Sequence, residues 1–132
     1  GLSIRQADVH HTGHAIECRV NAEHPETFAP SPGLIRTFSL PGGPGIRVDT
    51  FAHTDCTVSP HYDSLVAKVI AHGRDRPEAI DRMRRTLEMT VIEGVETTIP
   101  LHLRILEDRD FLDGRFTTAF LERFVPGAAS MS

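Results

Sequence analysis

Residues 15–22, AIECRVNA, alternate strictly: Ile16, Cys18, Val20 and Ala22 fall on one side, and Glu17, Arg19 and Asn21 on the other. Period-two alternation is the signature of a strand with one buried face, so the opposite face is left free to carry polar chemistry. Residues 64–72, SLVAKVIAH, rich in Val and Ile and closed by Gly73, read as a buried strand that can lie beside it. Between the two, residues 34–40 and 46–50 read as two more strands, with Ile35, Phe38, Ile46 and Val48 among the apolar positions. Pro41-Gly42-Gly43-Pro44-Gly45 joins them, and a β-turn or hairpin is the expected connection. The preceding HPETFAPSPG carries Pro25, Pro30, Pro32 and Gly33 and is expected to be a structured loop. CTVSPHYDS is expected to be short extended chain and loop.

The pattern changes after Gly73. Asp75 as N-cap, Pro77 in the first turn and Glu78 three residues beyond the cap form a capping-box pattern. Ile80, Met83, Leu87 and Val91 then recur near 3.6-residue spacing, which predicts a helix ending before Gly94 with Asp81, Arg82, Arg85 and Glu88 on its polar face. Further helices are expected from Thr98-Ile99-Pro100 to about Leu106 and over residues 118–124. Strands first and helices later, with no internal repeat, give an α+β class: an antiparallel sheet with helices packed on it. The expected division is one domain over residues 1–125 and a flexible tail over 126–132.

The 132 residues, 39% hydrophobic and 24% charged, suit a single soluble domain with a real core. A formal charge of −4 and dispersed arginines provide no cationic field, so nucleic acid is not an expected partner. Lys68 interrupts the longest apolar runs, far below the roughly 20 residues of a membrane span. Cys18 and Cys56 are too few for a disulfide scaffold and form no Cys-x-x-Cys pair, which makes a reduced, cytoplasmic setting the expectation. Opening on Gly1-Leu2-Ser3-Ile4, the chain reads as a piece of something longer.

Several patterns bear on chemistry. Arg19 between Glu17 and Asn21 can hold a small planar anion, because a guanidinium offers paired donors and keeps its charge. On spacing alone, the commoner meaning is a solvated face with a cross-strand ion pair. His10, His11 and His14, with His24, His53, His61 and His72, raise the question of zinc. Thr12-Gly13 break any helix that would align His10 with His14, and no carboxylate stands at zinc-enzyme spacing, so exposed histidines are expected and no metal is assigned to this chain alone. The prolines of PGGPG remove backbone donors, which favours a turn over a phosphate loop. No Gly-x-Ser-x-Gly is present, and Cys18 falls on the apolar side of its strand, so no nucleophile is assigned. In His61-Tyr62-Asp63-Ser64, Asp63 is either a buried carboxylate that orients Arg19 or a cap at the start of the strand.

Four stretches, GHAIECRVNAEHPETFAPSPGLI, PGGPGIRVDT, HYDSLVAKVIAHG and RPEAIDRMRRTL, resemble the C-terminal domain of biotin carboxylases over about residues 2–124. The resemblance implies ATP-grasp lobes upstream, with ATP, Mg²⁺, bicarbonate and biotin as the cofactors and substrates of the complete enzyme and none held by this chain alone. It implies a biotin carboxyl carrier protein and a carboxyltransferase as partners, a homodimer, and a place in an acyl-CoA carboxylase, acetyl-CoA carboxylase and hence fatty acid biosynthesis first. Arg19 takes the family's catalytic arginine, with Glu17, Asn21 and Asp63 in support, Asp63 linking the site to the subunit interface. Thr118 falls where the family places an apolar side chain near adenine, and its hydroxyl departs from that pattern. Pro44 and Arg47 fall at the dimer interface, Pro44 in place of an aromatic residue found in some relatives. The alternative is a non-catalytic module that binds a biotinylated carrier. The chain is not itself the carrier, since it has no Met-Lys-Met turn and its one lysine, Lys68, lies within an apolar strand.

Overall fold

A computed structural model describes residues 9–12, 15–61 and 63–113. Its centre is a four-stranded antiparallel sheet in the order β1-β2-β7-β5. These strands are β1 (Val9–Thr12), β2 (Ala15–Asn21), β5 (Ile46–Thr50) and β7 (Leu65–His72). The alternation read from the sequence is realised in β2: Ile16, Cys18 and Val20 are fully buried, while the residues between them are half-exposed. Their partners on β7 are Ala71, Val69 and Ala67, also fully buried, so one face of the β2–β7 ladder is a continuous apolar surface. A one-residue slip would turn every one of these side chains to the other face, and burial therefore fixes the register.

Two helices cover that surface. α1 (Arg76–Met89) buries Ala79, Ile80, Met83 and Leu87. α2 (Ile99–Glu107) buries Ile99, Leu101, Ile105 and Leu106. Each of the larger side chains among these contributes about 1.5–3 kcal/mol relative to exposure. Asp75 is the N-cap of α1, its side chain accepting from the Glu78 backbone N–H at 2.9 Å. The reciprocal half of the box is displaced by one residue, because the Glu78 carboxylate accepts from the Arg74 backbone N–H at 2.9 Å and from its guanidinium at 3.0 Å. A single turn, α3 (Arg109–Leu112), follows α2; Arg76 donates to its Phe111 and Leu112 carbonyls and lies 4.9 Å over the Phe111 ring.

Some expectations are corrected. Residues 34–40 are not one strand but two short pieces in different sheets: β3 (Gly33–Leu34) pairs with β6 (Thr57–Val58), and β4 (Thr37–Ser39) pairs with β8 (Val91–Glu93). The hairpin between this segment and β5 does not form, since β5 pairs with β7. The turn at residues 41–45 reverses the chain, with Gly45 at φ +76° and the Ile46 N–H donating to the Gly43 carbonyl at 3.1 Å. Turn chemistry fixes that reversal locally, but Ile46 and Val48 find their apolar neighbours opposite Ala71 and Val69. Val91 is not on the helix: α1 stops at Met89, Thr90 caps it in an extended conformation, and Val91 is 44% exposed at the start of β8. β1 and α3 were not anticipated, and the helix expected over 118–124 lies outside the described residues.

Candidate functional site

Arg19 stands near the end of β2 on the face turned away from the helices, half-buried. Its register partner on β7 is Lys68, whose own partner on β5 is Asp49. Directly opposed residues share a face with Cβ atoms roughly 4.5–5.5 Å apart, and like charges so placed repel. The cross-strand ion pair that would make Arg19 an ordinary surface arginine is therefore replaced by a second cation. Among the described residues no hydrogen bond or ion pair engages the Arg19 guanidinium, and its donors remain available to an external anion. Asp49 is held by Arg47, with Nε to Oδ1 at 3.3 Å.

The ladder is irregular just past Arg19. Val20 pairs with Ala67 but Asn21 with Leu65, a bulge that bends the strand where the polar face ends. The Asn21 amide donates to Glu23 Oε1 at 3.5 Å, and Ser64 Oγ donates to Glu23 Oε2 at 3.0 Å. Glu23 thus ties the end of β2 to the chain entering β7. It is the next same-side step after residues 17, 19 and 21, and continuing the alternation one step further finds it.

Asp63 is exposed, which corrects the buried-carboxylate alternative; its Oδ1 accepts from the Leu65 N–H at 3.0 Å and caps the start of β7. Pro44 is exposed at the tip of the turn, and Arg47, its side chain 70% accessible, lies two residues before Asp49 on β5, on the same face of the sheet as Lys68 and Arg19. Glu17 is half-buried beside Arg19 on β2, and Thr118 lies outside the described residues.

Two of the described histidines serve separate local roles: His24 Nδ1 accepts from the Glu26 and Thr27 N–H groups, and His53 Nδ1 donates to the Thr54 carbonyl at 2.7 Å. Among the described residues no three His, Cys, Asp or Glu side chains converge as metal ligands. Neither cysteine forms a disulfide, and Cys18 is buried as expected. No described helix is long and apolar enough to cross a membrane.

The sequence missed two more polar residues beside Arg19: buried Thr98 and His102, at the start of α2. They reach β2 through its backbone, for which no local pattern exists.

The sequence model of the biotin carboxylase C-terminal domain matches residues 17–123. The chain belongs to that family. Biotin carboxylase 1 of Bacillus subtilis is 53% identical over 124 residues, covering 93% of this chain and 28% of that protein. Among solved structures, the biotin carboxylase domain dimer of the Hydrogenobacter thermophilus 2-oxoglutarate carboxylase, crystallised with MgADP, ADP and bicarbonate, superposes with a TM-score of 0.79. It is 49% identical, and the match covers 86% of this chain and 25% of that one. The biotin carboxylase component of a pyruvate carboxylase superposes with a TM-score of 0.80 at 48% identity, covering 92% of this chain and 27% of that one. The biotin carboxylase C-terminal domain therefore spans about a quarter of the length of these relatives, and the relatives serve more than one kind of carboxylase.

Proposed function

We propose that this chain completes the active site of a biotin carboxylase, an ATP-dependent ligase that transfers the carboxyl group of bicarbonate to carrier-bound biotin. One observation carries the reading: Arg19, to which the resemblance assigns the catalytic role, is half-buried with a guanidinium that no described group engages, opposite a second cation. The ATP-grasp lobes upstream supply the phosphate chemistry. We assign Mg²⁺, together with the ATP phosphates, to those lobes, as the family resemblance implies.

The contribution of this chain is electrostatic. Removal of the ureido proton moves negative charge onto the ureido oxygen, and a guanidinium that stays protonated at any working pH offers paired donors to that oxygen or to bicarbonate. Lys68 adds a second positive charge to the same face, while Glu17 and Asn21 flank Arg19 along the strand. Asn21 and Glu23 brace the strand end, and Asp63, by capping β7, fixes the strand that carries Lys68.

The exposed turn at Pro44, with Arg47 beside it, is the surface through which two copies associate. The Hydrogenobacter thermophilus relative is described as a dimer, which supports the association of two copies. The carrier protein and carboxyltransferase act on the assembled enzyme in the cytoplasm, and acetyl-CoA is the acyl-CoA we assign to it. Biotin- and bicarbonate-dependent ADP release by the chain joined to its ATP-grasp segment tests the reading. Turnover that needs both parts supports it; binding of a biotinylated carrier with no turnover in the joined protein would leave a carrier-binding module instead.

A further inference from the structure

The backbone around Arg19 is bonded from a helix as well as from the sheet. The last described β1 pair is Val9 with Cys18, and the β2–β7 register shifts between Val20 and Asn21. From α2, the Asn21 N–H donates to Thr98 Oγ1 at 3.0 Å, and the Thr98 N–H donates back to the Asn21 carbonyl at 3.0 Å. One turn later, His102 Nε2 lies 2.7 Å from the Arg19 carbonyl oxygen, and since a carbonyl only accepts, Nε2 carries the proton. The Thr98 hydroxyl lies 3.5 Å from that same oxygen. Thr98 and His102 are both fully buried.

We propose that Thr98 and His102 are positioning residues for Arg19. They fix the peptide planes on either side of Val20 and thereby the direction in which the guanidinium leaves the sheet. A buried imidazole is a costly way to satisfy one carbonyl if packing were its sole purpose, because leucine would fill similar space without a polar group to accommodate. What it adds is a directional bond to one backbone atom, of the kind that holds a reacting group in its productive geometry. The inference rests on the reading of Arg19 as the catalytic residue.

The test uses the whole enzyme and follows biotin-dependent ADP release together with thermal unfolding. His102→Leu is expected to lower kcat about tenfold to a hundredfold through misplacement of Arg19 while leaving the KM for ATP within about twofold. His102→Gln, whose amide can donate to the same carbonyl, is expected to restore most of that loss. If His102 acts through Arg19, His102→Leu placed on Arg19→Ala costs less than about twofold beyond Arg19→Ala alone. The same factor lost in both backgrounds would overturn the proposal, as would full turnover in His102→Leu. Should His102→Leu fail to fold, Thr98→Val, which removes one hydroxyl at nearly constant volume, carries the same comparison. An inert Arg19→Ala would defeat the functional reading itself, whereas a disabling Arg19→Ala beside neutral His102 and Thr98 variants would defeat only this inference.

Discussion

On one face of the β2–β7 ladder Ile16, Cys18, Val20, Ala67, Val69 and Ala71 are closed off from solvent, and on the other Glu17, Arg19, Asn21 and Lys68 stand half-exposed. The two sets alternate along the same strands, yet they answer to different demands. The buried set fits against α1 and α2, where a missing methyl group leaves a cavity. The outer set has no such constraint, and it keeps an arginine facing a lysine that packing alone would not select. The buried face holds the register, and that register places the charges.

Truncating both faces sharpens the contrast most. Ile16→Ala is expected to cost about 2–5 kcal/mol, read as a lowered midpoint in denaturant unfolding of the chain. Glu17→Ala, one residue along, is expected to cost within about 1 kcal/mol. Equal losses at the two positions would erase the distinction between the faces.

The next largest effect belongs to the small sheets that flank the ladder. Gly94 has φ +109°, and a Cβ there would meet the Leu34 carbonyl oxygen at 2.1 Å, where the chain threads between β3 and β4. Gly94→Ala is expected to destabilise by about 1–3 kcal/mol, measured in the same way, because backbone and neighbour must both shift.

The smallest effect is one of pH. The Glu78 carboxyl titrates below its ordinary range, chiefly because it accepts from the Arg74 backbone N–H, helped by the Arg74 side chain and the charges of Arg74 and Arg82, against a smaller opposing effect of burial. A group depressed in the folded state stabilises above its unfolded pKa of about 4.3 and loses that contribution as pH falls through the lower folded value. Glu78→Gln is therefore expected to flatten the decline in stability across and just below pH 4, and a decline of unchanged slope would show that other carboxylates govern it.

These differences also mark what could be read from the chain. Period-two alternation found β2 and β7, and Asp75 found the start of α1, because each rests on neighbours a few residues apart. The partner of β5 was missed because a turn dictates reversal and not pairing, and β1 because VHHT carries no apolar alternation. Within the site, Arg19 was legible on its strand and by family resemblance. Lys68 as its neighbour was not, since cross-strand register depends on the whole buried face. Thr98 and His102 were illegible for a stronger reason: they meet β2 through backbone atoms that every residue possesses, across 77 to 83 residues of sequence.

Turnover by the whole enzyme carrying Arg19→Ala, measured as biotin- and bicarbonate-dependent ADP release at matched thermal stability, tests the central claim most directly. Loss of a fixed cation where negative charge develops is expected to lower kcat about a hundredfold to a thousandfold, the equivalent of about 2.7–4 kcal/mol, with the KM for ATP little changed. Undiminished turnover would contradict the account and leave the Arg19 face of the sheet without a part in the reaction.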